Sequence, residues 1–365
     1  MVGPVVSVDA FPLAIPVESP GPATGWYQRV SKQLLVRVCT AGGVEGWGEA
    51  FAYGGPVALA DVVRSVLAPV VVGSELAELR ATVERMHRAG RIAGRSGLAM
   101  MALSAVEIAL WDAAGRAAGV SVATLLGGAA RRRLPAYASH PHYERESDVA
   151  VAVRQSVAEG FRAVKLHQTE LEAMRAGREA AGPGVRLAID TNNAWDATGA
   201  QRIVSEVAHL DLAWLEEPVW PPEDYAALAA LRGRGVPIAA GENEYTLTGF
   251  QRALEPRSVD ILQPSVAKAG GLTTLLAVSS LARAAGVPVI PHSFYFGPGL
   301  AATYQFAATL PGESLVEFPL GRLAAPLLRE PIRAEAGYVY LDGAPGLGVE
   351  VDTSVLDRYP VRAGA

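Results

Sequence analysis

Val185-Arg-Leu-Ala-Ile-Asp190, Leu212-Ala-Trp-Leu-Glu216 and Pro237-Ile-Ala-Ala-Gly-Glu242 are three short apolar stretches, each ending on a carboxylate. The step from Asp190 to Glu216 and from Glu216 to Glu242 is 26 residues each time. That distance holds about one strand, one helix and two short loops, so the three acids should end three neighbouring parallel strands. Carboxylates brought together at the mouth of a barrel repel and desolvate one another unless a cation lies among them. Hard oxygen donors of this kind suit Mg2+, with Mn2+ as a possible substitute.

Outward from this core the strand-then-helix rhythm continues. Strands are expected near 134–139, 162–167, 185–190, 211–216, 237–242, 259–263, 287–291 and 314–317, with helical segments between them, which makes a (β/α) barrel. The first third reads differently. Short strands at 5–8, 33–40 and 44–50, the last two joined at Thr40-Ala-Gly-Gly43, precede helical patterns at 57–70, 75–88 and 98–118. The expected organisation is an α+β capping domain over 1–128, a barrel over 129–334, and a tail over 335–365. The tail carries Gly337-Tyr-Val-Tyr-Leu341 and Pro345-Gly-Leu-Gly348 and is expected to return to the cap.

Composition narrows the function classes. With 365 residues, half of them apolar and 19% charged, the chain can bury a sizeable core. A net charge of -5, with only the short cluster Arg131 to Arg133, argues against a nucleic-acid partner. The single cysteine, Cys39, excludes an internal disulfide framework and a multi-thiolate metal site, and fits a reducing compartment. With no basic leader and no apolar run of roughly 18 residues, the expectation is a soluble, cytoplasmic chain with no membrane partner.

Ser104-Ala-Val-Glu-Ile-Ala-Leu-Trp-Asp112, Leu125-Leu-Gly-Gly128, Lys165-Leu-His167, Asp190-Thr-Asn192, Leu215-Glu-Glu-Pro218, Gly241-Glu-Asn243 and Lys268-Ala-Gly-Gly271 occur in this order. Together they resemble the enolase superfamily, and within it the mandelate racemase and muconate lactonizing enzyme type, on the mandelate racemase-like branch. The resemblance implies an α+β cap built from the N-terminal third and the C-terminal tail, over a modified (β/α)7β TIM barrel. It also implies a homo-oligomer that binds Mg2+ and removes a proton next to the carboxylate of a small substrate. Enolase-superfamily sites pair a Lys or His base with one or two Mg2+ ions.

Strand alternation puts Lys165 and His167 on one side of their strand, with Leu166 facing the helices. In related racemases this motif is Lys-x-Lys, the second lysine acting as base and the first lying beside the substrate carboxylate. Here the second position is His167, which departs from that pattern but keeps a side chain able to act as a base. On the opposite face the candidate is His292, in Val289-Ile-Pro-His292 at the end of strand seven. The family often supports this histidine with an Asp in Gln-Pro-Asp, but this chain reads Gln263-Pro264-Ser265. Ser265 also replaces the lysine used there by two-lysine epimerases and cycloisomerases, which counts against that chemistry. Lys268, three residues on, is expected to support the site from behind.

By the same resemblance the first Glu of Glu-Glu-Pro, Glu216, is the metal ligand with Asp190 and Glu242, and Glu217 points the other way. Asn192 is expected on the side of Asp190, touching the metal shell or substrate. Glu317, ending strand eight, would donate a hydrogen bond to a substrate carboxylate if protonated. His140, with His142, should reach the rim. Residues 18–27 and 49–55 match the family's mobile loops, where Trp26, Tyr27, Phe51 and Tyr53 would form a partly aromatic lid and Gly54-Gly55 supply flexibility. The expected activity is a Mg2+-dependent lyase dehydrating an aldonate or aldarate. The alternatives are a racemase or epimerase, or a sugar-acid lactone cycloisomerase, and then a metal-binding barrel with little turnover.

Overall fold

The computed structural model describes residues 2–18, 30–128, 131–312 and 314–361. β1 (Val5–Glu18) pairs antiparallel with β2 (Val30–Thr40), which pairs with β3 (Glu45–Phe51). β1 continues well beyond the expected 5–8, through Pro12 and Pro16. Proline is tolerated there because the outer edge is met through its carbonyls: Pro12 O accepts from Val361 N and Pro16 O from Ala324 N.

On this sheet lie α1 (Pro56–Val62), continued by a π-turn into α2 (Ala68–Val71), and α4 (Gly97–Ala118), while α3 (Leu79–Ala89) and α5 (Val122–Leu125) pack against α4. Two glycines of β3 let α4 press directly onto the strand. A Cβ at Gly46 would stand 2.2 Å from the Ala109 carbonyl oxygen, and one at Gly48 1.9 Å from that of Ala105. α4 is 22 residues long and apolar enough to cross a bilayer, contrary to the expectation that no such run exists, yet 78% of its most apolar window is buried inside the protein.

The barrel follows as β4 (Arg133–His140), α6 (Glu146–Ala158), β5 (Ala163–His167), α7 (Leu171–Ala181), β6 (Arg186–Asp190), α8 (Ala197–Val207), β7 (Leu212–Glu216), α9 (Tyr225–Leu231), β8 (Ile238–Ala240), α10 (Thr246–Leu254), β9 (Ile261–Leu262), α11 (Gly271–Ala284), α12 (Pro298–Ala307) and β10 (Val316–Pro319). Neighbours from β4 to β9 pair in parallel, and β10 closes the barrel on β4. The seventh position, expected as a strand over 287–291, is held only by single bridges, Leu262 with Val289 and Ser265 with His292. Pro288 and Pro291 remove two of the N–H donors a full ladder needs. The barrel is therefore of the (β/α)7β kind.

β11 (Arg322–Leu323) already pairs with β1, before β12 (Ala334–Glu335) and β13 (Tyr338–Tyr340) return to β4. The last helix, α13 (Ser354–Arg358), then packs Val355 into a cluster with Leu13, Ile15, Leu35 and Trp47 of the cap sheet.

Buried acids stitch cap to barrel. Glu107 of α4 accepts the N–H groups of Leu272 and Thr273 at the start of α11, at 2.8 and 2.7 Å. Glu49 of β3 accepts those of Gly297 and Gly299 at the start of α12, at 3.0 and 2.8 Å. Each carboxylate satisfies donors that a helix N-terminus leaves open.

Candidate active site

The pleat sorts the barrel interior into layers. Tyr137, Ala163, Ala188, Trp214, Ala239 and Leu315 pack against one another as an apolar floor. Two residues further along their strands stand Ser139, Lys165, Asp190, Glu216 and Glu317, a polar layer above that floor. Register aligns them: His167 lies opposite Asp190, and Asp190 opposite Glu216. Glu242 comes from beyond the end of β8, where Gly241 at φ +129° breaks the extended chain. Asp190, Glu216 and Glu242 are buried, and each offers a carboxylate oxygen within 4.8 Å of the others.

Lys165, fully buried, places Nζ 2.8 Å from Glu216 Oε1, 2.9 Å from Glu317 Oε1 and 3.2 Å from Asp190 Oδ2. Burial alone would raise every carboxylate here. Against it, Lys165 and then His167 hold Asp190 well below its usual range, and Lys268 and His292 do the same for Glu242. Glu216 stays well above the usual range, through burial first and then repulsion from Asp190. Trp214 Nε1 and Gln263 Nε2 donate to its Oε2 at 2.9 and 2.8 Å. The layer carries more negative charge than its cations offset, in a dry setting that a divalent ion would relieve.

His167 and His292 approach the acids from two directions. His167 Nε2 is 3.2 Å from Asp190 Oδ2, and its Nδ1 donates to the carbonyl of His140. A carbonyl only accepts, so Nδ1 carries a proton, and Nε2 is the nitrogen turned toward the acids. His292 Nε2 is 2.7 Å from Glu242 Oε2. Its other nitrogen faces Tyr295 OH at 3.5 Å, and that hydroxyl is hydrogen-bonded to Ser265 Oγ.

Other expected residues divide. Lys268 is buried, donates to Asn243 Oδ1 at 3.0 Å and lies 4.6 Å from the centre of the Phe51 ring. Phe51 in turn meets Tyr53 and Tyr295 edge-on at 4.8 and 6.3 Å, so this part of the expected lid touches the barrel side of the site. Tyr27 and Trp26 lie outside the described residues.

Three expectations need correction. His140 does not reach the rim: alternation from Ser139 turns it toward the helix layer, where Tyr143 OH and Ser156 Oγ take both ring nitrogens at 3.1 and 2.9 Å. Burial, with His167 nearby, pushes it down to about 3, so it stays neutral. Glu317 is an ionised acceptor rather than a protonated donor. Burial pushes it up, but Lys165 outweighs this, helped by Ser293 N at 2.6 Å and Ser139 Oγ at 2.7 Å, and holds it below its ordinary range. Asn192 has φ +45°, which ends the alternation, and what it brings to Asp190 is its backbone N–H, 3.0 Å from Oδ1.

Residues 148–355 match the family described as enolase C-terminal domain-like, and residues 15–127 match the mandelate racemase / muconate lactonizing enzyme N-terminal domain. The chain belongs to the mandelate racemase and muconate lactonizing enzyme family. The D-galactarolactone cycloisomerase of Agrobacterium fabrum is 33% identical over 346 residues, spanning 89% of this chain and 90% of that one. The L-rhamnonate dehydratase of Saccharopolyspora erythraea is 33% identical over 344 residues, spanning 90% and 85%. A mandelate racemase/muconate lactonizing protein from Paracoccus denitrificans, solved in complex with magnesium, superposes with a TM-score of 0.87 at 29% identity over 98% of both chains. As a member of the mandelate racemase and muconate lactonizing enzyme family this protein is an enzyme, a lyase or an isomerase.

Sequence reasoning did not single out Tyr295, Ser139, Gln263 or Trp214. For Ser139, Gln263 and Trp214, the alternation that placed Lys165 was available as a signal. Tyr295 follows a proline-broken strand, where no period applies.

Proposed function

We propose that this enzyme dehydrates a sugar acid, an aldonate or aldarate, by removing the proton α to the carboxylate. The observation that carries the reading is the register of His167 beside Asp190 and Glu216, with the His140 carbonyl fixing Nε2 as the basic nitrogen.

Asp190, Glu216 and Glu242 fit a hard cation: all donors are carboxylate oxygens, buried and close-set. Mg2+, or Mn2+ in its place, would be held by these three and supply Lewis-acid stabilisation of charge developing on the substrate carboxylate.

The remaining steps fall to side chains. Lys165 binds and orients the substrate carboxylate. His167 Nε2 takes the proton from C2, and the C–H electron pair moves into the carboxylate to give an enediolate. As that pair returns to form the C2–C3 double bond, the C3 hydroxyl leaves as water with a proton from His292 Nε2. The enol then becomes a 2-oxo-3-deoxy acid. Phe51 and Tyr53 cover the reacting carbon.

A second reading, isomerisation, is favoured by the two histidines approaching the acids from different directions and by the cycloisomerase at 33% identity. Incubation with Mg2+ in D2O and a panel of aldonates, aldarates and their lactones, followed by proton NMR, separates the two. Dehydration yields a 2-oxo acid deuterated at C3, whereas isomerisation yields α-deuteration or ring change without a 2-oxo product. No change with any acid of the panel would contradict both.

A further inference from the structure

Tyr295 lies in the segment between His292 and α12, and it is 2% exposed. A phenolic hydroxyl in so dry a place needs partners. It has Ser265 Oγ on one side and His292 Nδ1, at 3.5 Å, on the other. Ser265 and His292 are bridge partners across the barrel wall, so the two residues that flank Tyr295 are themselves fixed relative to each other. The Tyr295 ring adds a second constraint, meeting the imidazole edge-on at 5.7 Å. Phe51 of the cap closes the far side at 6.3 Å. The segment is anchored just beyond, where Glu49 accepts the Gly297 N–H at 3.0 Å.

We propose that Tyr295, held by Ser265, is the positioning residue for His292, setting the imidazole plane so that Nε2 faces the reacting centre. This rests on the reading of His292 as the acid that assists the leaving hydroxyl.

The hydroxyl pair can meet Nδ1 either as donor or as acceptor. If Ser265 donates to Tyr295, then Tyr295 donates to Nδ1 and Nε2 carries the proton. If Tyr295 donates to Ser265, its oxygen accepts from Nδ1–H, and Nε2, 2.7 Å from the Glu242 carboxylate, again carries a proton. Burial keeps the phenol protonated far beyond neutral pH, so the pair orients the ring without adding charge. No proton has to pass through it.

The test compares Tyr295→Phe, Ser265→Ala, Tyr295→Phe/Ser265→Asp and His292→Asn with wild type, reading kcat, substrate KM, Mg2+ affinity and melting temperature. Tyr295→Phe is expected to lower kcat about tenfold, the size of one lost hydrogen bond. KM, Mg2+ affinity and melting temperature should stay close to wild type, and Ser265→Ala should follow the same pattern more weakly. Restoring a hydrogen-bond acceptor in the space left by the phenol oxygen, through the double variant, should recover most of the lost kcat. Unchanged kcat in Tyr295→Phe, a loss carried wholly by KM, or no recovery in the double variant would overturn the proposal, provided that His292→Asn is crippled. Full turnover in His292→Asn would instead overturn the reading of His292, and this proposal with it.

Discussion

Lys165 Nζ stands 2.8 Å from Glu216 Oε1, on the floor of the polar layer, and both side chains are fully buried. The same ammonium reaches Asp190 and Glu317, so a single cation offsets three carboxylates. Burying that many charges is tolerable only while the partner is present.

Lys165→Met should therefore cost the metal-free protein about 3–5 kcal/mol of folding stability. Added Mg2+ should restore part of it, because a cation among the acids replaces the lost charge. Urea unfolding with and without Mg2+ measures both effects, and an equal Mg2+ increment in wild type and variant would count against the account.

Asp190→Asn, Glu216→Gln and Glu242→Gln should each abolish turnover and the thermal stabilisation that Mg2+ gives. For wild type that stabilisation amounts to about 2.7 kcal/mol at a hundredfold excess over Kd. Glu217→Gln should keep it, since Glu217 is bonded to Gly241 N and Asn193 Nδ2 at 2.9 Å each and is not among the three acids whose oxygens converge. A triad variant that still showed the full Mg2+ shift would remove that acid from the site.

Glu49 offers a pH test remote from the triad. Burial, only partly opposed by the N–H groups of Gly299, Phe296 and Gly297, pushes its carboxyl up to about 7 from an ordinary 4.5. The folded state thus binds one more proton than the unfolded state between these values. Its contribution to stability is whole below about 4.5 and is lost as pH rises to about 7, at roughly 1.4 kcal/mol per pH unit. Glu49→Gln cannot titrate, so the wild-type stability should fall relative to the variant across this window and run parallel above it. Parallel curves throughout would show that Glu49 has an ordinary carboxyl.

Much of this was legible because two periods did the sorting. The 26-residue step found Asp190, Glu216 and Glu242, and the two-residue pleat found Lys165 and His167. The same pleat, carried along β4, would have turned His140 toward the helices and Ser139 inward. Legibility failed where proline or a positive φ interrupts the pattern. Pro12 and Pro16 hid most of β1, Pro288 and Pro291 reduced the seventh strand to bridges, and Asn192 left the extended conformation at the point where alternation was still being counted. Tyr295 lies beyond such a break, and its bond to Ser265 joins residues 30 positions apart, which no local pattern reports.

Solvent exchange shows whether His167 is the base that opens the reaction. Wild type, His167→Asn and His292→Asn are each incubated with Mg2+ and an accepted acid sugar in D2O, and deuterium at C2 is followed by NMR. With His167 as the base, His167→Asn should show no exchange, and His292→Asn slow exchange without product. Exchange that persists in His167→Asn and vanishes in His292→Asn would contradict it, and would leave Lys165 and His167 with substrate binding alone.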